Sequence, residues 1–260
     1  MYKGEIDFRA DFSGIEFESI EIVPFSPKVP KITLKSSEEG ISLKIEIANA
    51  ESSKEVICEA EKTAKHLAKI LTFKSGSYHQ DFKIVQKNLM QELPDGTNRM
   101  ITYVVGMTEH LCNVRTSLVI KPDKLPQFKS SIQKISQNQS PYYDLFYFAL
   151  GLQDPIAKFM VLYNIALDLC KRQNSKTQEW EEKQKYVDEF ILSIRPNVPV
   201  YSFQRKDSII SETIYTKLRN QVGHTRPDTN LEETRNEMVT NLNPFISIIS
   251  ELISQKISNV

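Results

Sequence analysis

Apolar and polar positions alternate early in the chain. Ile15, Phe17, Ile20 and Ile22 lie among glutamates, and Ile41, Leu43, Ile45 and Ile47 are each separated by one polar residue. A period of two places one set of side chains on one face of a strand, so both stretches predict half-buried strands. Pro24, Pro27 and Pro30 interrupt them, because proline cannot donate to a ladder. A further strand is expected from near Ile32, turning at Ser36–Gly40 into the next. The spacing then lengthens. Ser52 with Glu55 three residues on has the form of a capping box, and Ile57, Ala60, Ala64, Leu67, Ala68 and Leu71 stripe one face of a helix. Residues 100–105 and 114–120 predict two more strands, and 121–129 a charged exit from the domain.

Beyond residue 140 the period stays helical. Ser140 and Pro141 form a start signal before a stretch that is apolar nearly all round, and Asp154 with Pro155 repeats it. Ile156, Phe159, Met160, Tyr163, Leu167 and Cys170 follow on one stripe. A third helix should close with Val187, Phe190, Ile191 and Ile194 before Arg195 and Pro196. A fourth is expected from about Ser208 through Ile210, Ile214, Leu218 and Val222 to Gly223. Thr229 and Glu232 would cap a last helix carrying Met238, Leu242, Phe245, Ile249 and Leu252, kinked near Pro244. The fold class expected is therefore α+β: a mixed sheet-plus-helix domain over 1–125, a polar linker over 126–139, and an all-α bundle over 140–260.

Composition narrows the chemistry. Lys plus Arg equals Asp plus Glu at 33 each, so no global field draws this chain to nucleic acid or to an anionic membrane, and any phosphate binding must be local. Cys58, Cys112 and Cys170 are scattered with no CxxC pair, the usage of a reducing, cytoplasmic compartment. The opening residues lack the apolar core of a secretory signal, and no segment approaches the roughly 18 apolar residues of a membrane span, so a soluble protein without membrane contact is expected. A zinc site from His110 with Cys112, or Cys58 with His66, would lack the tight ligand pairs such sites use, so no metal or cofactor is expected. The acids of 179–189 alternate with lysines and suit a solvated helix face. Tyr142, Tyr143, Phe146, Tyr147 and Phe148 could stack bases, but at helical density aromatic residues more often fill a core.

Residues 212–227 read ETIYTKLRNQVGHTRP. If Gly223 ended a helix in the left-handed conformation, the His224 N–H would bond back to the Arg219 carbonyl, holding the arginine and histidine together at one terminus. A helix C-terminus also favours positive charge, which keeps an imidazole near the range where it both takes and gives protons. Arg219, the polar Asn220 after it, and His224 five residues beyond the arginine resemble the motif of HEPN ribonucleases, whose domains are helical bundles; the resemblance covers roughly 140–258.

The resemblance implies a metal-independent endoribonuclease in which an RNA 2′-hydroxyl attacks the neighbouring phosphodiester, leaving a 2′,3′-cyclic phosphate. His224 would be general base or acid, Arg219 would grip the phosphate, and Asn220 would position either the histidine or the single-stranded RNA substrate. Arg205, Lys206, Lys217 and Arg226 flank the motif and would supply local positive charge. It also implies a homodimer through the helical domain, and a role as a stress or phage-defence toxin in which the first domain meets a regulatory partner or trigger. One departure is that Arg226 stands where HEPN toxins controlled by nucleotidyltransferase antitoxins have a tyrosine. Two other readings of the same residues remain open. The domain could be a silent module binding nucleotide, RNA or protein, or Gly223 could merely stop a helix while Arg219 pairs with a carboxylate such as Glu212.

Overall fold

A computed structural model of the 260-residue chain describes residues 1–11, 15–37, 40–78, 82–105, 118–137, 140–205, 208–223 and 230–257. The chain divides into two compact units, Met1–Gln139 and Ser140–Val260.

Unit 1 contains β1 (Tyr2–Asp11), β2 (Ile15–Glu16), β3 (Ile20–Ile22), β4 (Lys31–Ser37), β5 (Gly40–Ala50), α1 (Ser53–Ser75), β6 (Lys83–Glu92), β7 (Asn98–Val104), β8 (Leu118–Val119), a 3-10 turn (Pro122–Lys124) and α2 (Leu125–Gln137). Six strands form one sheet in the order β3-β4-β5-β1-β6-β7, every neighbour antiparallel, while β2 and β8 pair in parallel apart from it. Ile6 faces Ile45, Phe8 faces Leu43 and Ala10 faces Ile41, so β1 and β5 share one buried apolar face. The helix α1 packs on β1 and β5 through Ala60, Ala64, Leu67 and Leu71. Ser52 caps α1, accepting from the Glu55 N–H, and the Glu55 carboxylate turns back to the Glu51 N–H at 2.6 Å. Gly76, at φ 66°, closes the helix in the left-handed region that glycine tolerates best.

The helix can lie this close to the sheet because β1 carries Gly4. A Cβ there would stand 2.9 Å from the Asn88 carbonyl oxygen and 2.9 Å from Val56 Cγ1, and the backbone oxygen cannot swing away. Gly4→Ala is expected to cost unit 1 about 1–3 kcal/mol, the range for overpacking. Urea unfolding checks it, and an unchanged midpoint would show that the sheet yields freely.

Residues 126–139, expected as linker, are instead mostly α2. Its polar Ser and Gln content hides a stripe of Phe128, Ile132 and Ile135, all buried, and the Phe128 ring lies 5.5 Å from Phe17. Of the strand expected over 114–120, residues 114–117 lie outside the described residues; β8 covers two of the rest.

Unit 2 contains α3 (Pro141–Gly151), α4 (Pro155–Cys170), β9 (Arg172–Gln173), β10 (Trp180–Glu181), α5 (Gln184–Ile194), β11 (Val200–Arg205), β12 (Ser208–Thr213), α6 (Ile214–Gly223) and α7 (Leu231–Ile257). Ser140 caps α3 and Asp154 caps α4, the latter through the Ala157 N–H at 2.8 Å. Asn230 opens α7 by accepting from the Glu232 and Glu233 N–H groups; Thr229, expected in that role, lies outside the described residues. Pro244 sits inside α7.

The unit is helix-rich but not all-helical, which corrects the expected bundle. It carries two antiparallel hairpins, β9 with β10 and β11 with β12. Ser208–Thr213, expected as the start of the fourth helix, pairs along its whole length with Val200–Arg205. Its β-branched residues suit an extended chain, and Thr213 ends it by accepting from the Thr216 N–H at 3.5 Å, so α6 begins only at Ile214. At the core, the Phe245 ring stacks 4.7 Å from Phe159 and 4.7 Å from Tyr215. Among the described residues, no helix is long and apolar enough to cross a membrane.

Candidate active site

Arg219 and Asn220 lie in the last turns of α6. Gly223, the last described residue of this helix, does not take a left-handed φ, and the His224 N–H expected to bond back to Arg219 lies outside the described residues. The role of Gly223 is spatial. Arg219 lies four residues back, on the same helix face, and its guanidinium runs across the bare Cα of Gly223. A Cβ at that position would stand 3.4 Å from Arg219 Nη1 and 3.6 Å from Cζ. The guanidinium is thus laid along the helix end, half-buried, beside an exposed glycine.

A buried amide holds it there. Asn220 is 7% exposed, and its Oδ1 accepts from Arg219 Nη1 at 3.2 Å and from Gln184 Nε2 at 2.7 Å. Its Nδ2 donates to Gln184 Oε1 at 3.2 Å and to Glu212 Oε2 at 2.9 Å. An asparagine amide has two donors and room for two acceptor bonds, so every position is used. Asn220 therefore joins α6 to the first turn of α5 and to the end of β12, and orients the arginine.

Beside this hub runs a second buried chain. Asp188 Oδ1 accepts from Thr213 Oγ1 and Thr216 Oγ1, both at 2.6 Å, and from the Thr213 N–H at 3.2 Å. Because the Thr216 hydroxyl proton goes to the carboxylate, the Tyr163 hydroxyl donates to Thr216 Oγ1, also at 2.6 Å. Burial pushes the Tyr163 phenol well above its ordinary range. Burial also raises the Asp188 carboxyl above its ordinary 3.8, outweighing three hydrogen bonds that pull it down. Asp188 belongs to the charged stretch read as a solvated face, and that reading does not hold for it: Asp188 is buried.

A raised folded-state value means that the neutral acid is the form folding favours. Its contribution is complete below about pH 4 and is lost as pH rises through the folded value, above 3.8. Relative to Asp188→Asn, the wild-type chain is expected to gain unfolding free energy as pH falls from 7 to 4. Denaturant titrations of both proteins at the two pH values test this, and a pH-independent difference would sink it.

The other site residues from the sequence are not all brought together. Lys217 is two residues from Arg219, about 200° around the helix, and engages Glu237 of α7 at 3.4 Å and the Tyr201 ring at 4.4 Å. Arg205 ends β11. His224, Lys206 and Arg226 lie outside the described residues. Of the zinc candidates, His66 packs edge-on against Phe25 and Cys58 is exposed, while His110 and Cys112 lie outside the described residues; among those described, no group of three or more His, Cys, Asp or Glu could hold a metal. A cavity of about 480 Å³ along the start of α7 is lined by Glu232, Glu233 and Glu237, a set that would repel phosphate. Gln184 and Asp188 are the site residues that the sequence did not single out; Glu212, named there as a carboxylate for Arg219, accepts from Asn220. Comparison with models of known protein families, with curated proteins and with solved structures gave no match.

Proposed function

We propose that unit 2 is a HEPN-type, metal-independent endoribonuclease whose reactive pair is Arg219 and His224. What carries the reading is the guanidinium of Arg219, fixed by Asn220 across Gly223 at the end of α6, one residue before the histidine. Arg219 is half-exposed, and a guanidinium is the side chain whose planar fork matches a phosphate.

In the proposed reaction His224 takes the proton of an RNA 2′-hydroxyl, whose oxygen attacks the adjacent phosphorus. The bond to the 5′-oxygen breaks, that oxygen receives a proton, and a 2′,3′-cyclic phosphate remains. Arg219 stabilises the charge that develops on the phosphoryl oxygens. Asn220 acts through Arg219 and not on the substrate, since its amide is already saturated. Arg205, Lys206 and Arg226 add local positive charge. The enzyme would work as a cytoplasmic homodimer through unit 2, in defence against phage or in stress, with unit 1 meeting the trigger or a regulatory partner.

The test is cleavage of single-stranded RNA in EDTA by the full chain, by Arg219→Ala and by His224→Ala, with the product end identified chemically. Cyclic-phosphate product that disappears in both variants supports the reading; equal cleavage in all three proteins overturns it. The saturated Asn220 amide favours a second reading, a silent HEPN module that binds RNA or nucleotide, and binding without cleavage by the wild-type chain would select it.

A further inference from the structure

The hairpin of β9 and β10 carries the chain's single tryptophan. Trp180 is 64% exposed, and burial of an aromatic ring is the usual outcome because of its large apolar area. Its neighbours make the exposure more pointed. Between Lys171 and Lys183 every residue besides Trp180 is polar or charged, so its own stretch of chain offers the indole no apolar neighbour. A cation stands near it: Lys171 Nζ lies 6.0 Å from the ring centroid, while Arg172 and Lys183 lie 4.4 and 5.8 Å from the Tyr186 ring. A protein hot spot places an aromatic anchor in an apolar, desolvated setting. An exposed flat ring with a lysine beside it, set in a polar stretch of chain, suits a nucleobase.

The hairpin is also close to Arg219. Trp180 precedes Gln184 by four residues, a span of at most about 14 Å. The Gln184 amide bonds Asn220 at 2.7 Å, and Asn220 bonds Arg219. The indole therefore stands a few nucleotides at most from the guanidinium. The nearby cations are already matched, Lys171 by Asp168 at 2.6 Å, Arg172 by Glu189 at 2.7 Å and Lys183 by Glu181 at 2.5 Å. Little affinity can then come from counterion release, and stacking must supply most of it.

We infer that Trp180 is a base-stacking platform that seats a nucleotide of single-stranded RNA beside the Arg219 end of α6, a role resting on the ribonuclease reading for its substrate. Trp180 contributes to binding and not to bond breaking. A single tryptophan allows a direct readout. The full chain is titrated with a single-stranded 2′-O-methyl oligonucleotide, which lacks the attacking hydroxyl and cannot be cleaved, while indole emission is followed. Saturable quenching is expected. With cleavable RNA, Trp180→Ala should raise KM about tenfold and leave kcat within about twofold, and Trp180→Phe should recover most of the loss. Because the replaced side chain is exposed, both variants are expected to unfold as the wild type does.

Emission indifferent to the oligonucleotide, or a KM unmoved by Trp180→Ala, overturns the platform and leaves Trp180 as a protein contact. The two proposals fail separately. Quenching without cleavage removes the nuclease and keeps the platform, whereas cleavage with a silent Trp180 does the reverse.

Discussion

Arg219→Ala is expected to lower single-turnover cleavage of RNA by about 100- to 1,000-fold, the usual cost of removing one group aimed at transition-state charge. Arg219→Lys should recover only a small part of this. Lysine keeps the positive charge but has no planar fork, and it cannot donate to Asn220 and a phosphate in the same fixed geometry. His224→Ala should fall by about 100- to 10,000-fold, the range for a lost general acid or base. The loss must appear in kcat as well as in kcat/KM, because both groups are assigned to charge and protons that move only in the reaction. Measurement in EDTA keeps adventitious metal cleavage out. If Arg219→Ala raised only KM, the arginine would be a binding residue and the catalytic assignment would be wrong.

Phe245→Ala should produce the largest loss of stability, about 3–5 kcal/mol for a fully buried phenylalanine. The ring is held between Phe159 of α4 and Tyr215 of α6, each 4.7 Å away and nearly parallel to it, with Tyr163 at 6.2 Å. Three helices meet at this one side chain, so the cavity cannot be closed by moving one of them. Phe148, 58% exposed on α3, provides the contrast: Phe148→Ala should stay within about 0.5 kcal/mol. Urea unfolding followed by circular dichroism reads both, and a Phe245→Ala cost below about 1 kcal/mol would mean that the aromatic stack can repack.

What the sequence reveals depends on whether a signal is local. The caps at Ser52, Ser140 and Asp154 are legible because each needs one side chain at one position. The alternation in β5 is legible because one face is wholly buried. The strand β6 is not. Asp7 pairs with Gln86 and Phe8 with Ile84, so an irregularity at Val85 breaks the period of β6, and Lys87 lies opposite Ile6, so a charged residue occupies an apolar row. Ser208–Thr213 reads as helix because Ile210, Ile214, Leu218 and Val222 fall every fourth residue, and pairing with the strand just before it makes it a strand. Arg219 stands out through its motif, whereas its support does not: Gln184 is 36 residues away and Asp188 sits in a run of surface charge. A hydrogen-bonded hub assembled from three elements leaves no pattern within any one of them.

The central place of β1 has a consequence for assembly. Ile6 pairs with Ile45 on one side and Lys87 on the other, so the strand that anchors the sheet precedes both of its neighbours in the chain. During synthesis β1 can close its first ladder once β5 has emerged, but its other edge stays open until the whole of α1 and then β6 have followed. Such long-range pairing folds slowly, and for that interval the nascent chain presents an apolar strand edge to whatever is nearby, which makes this unit a natural client for chaperones.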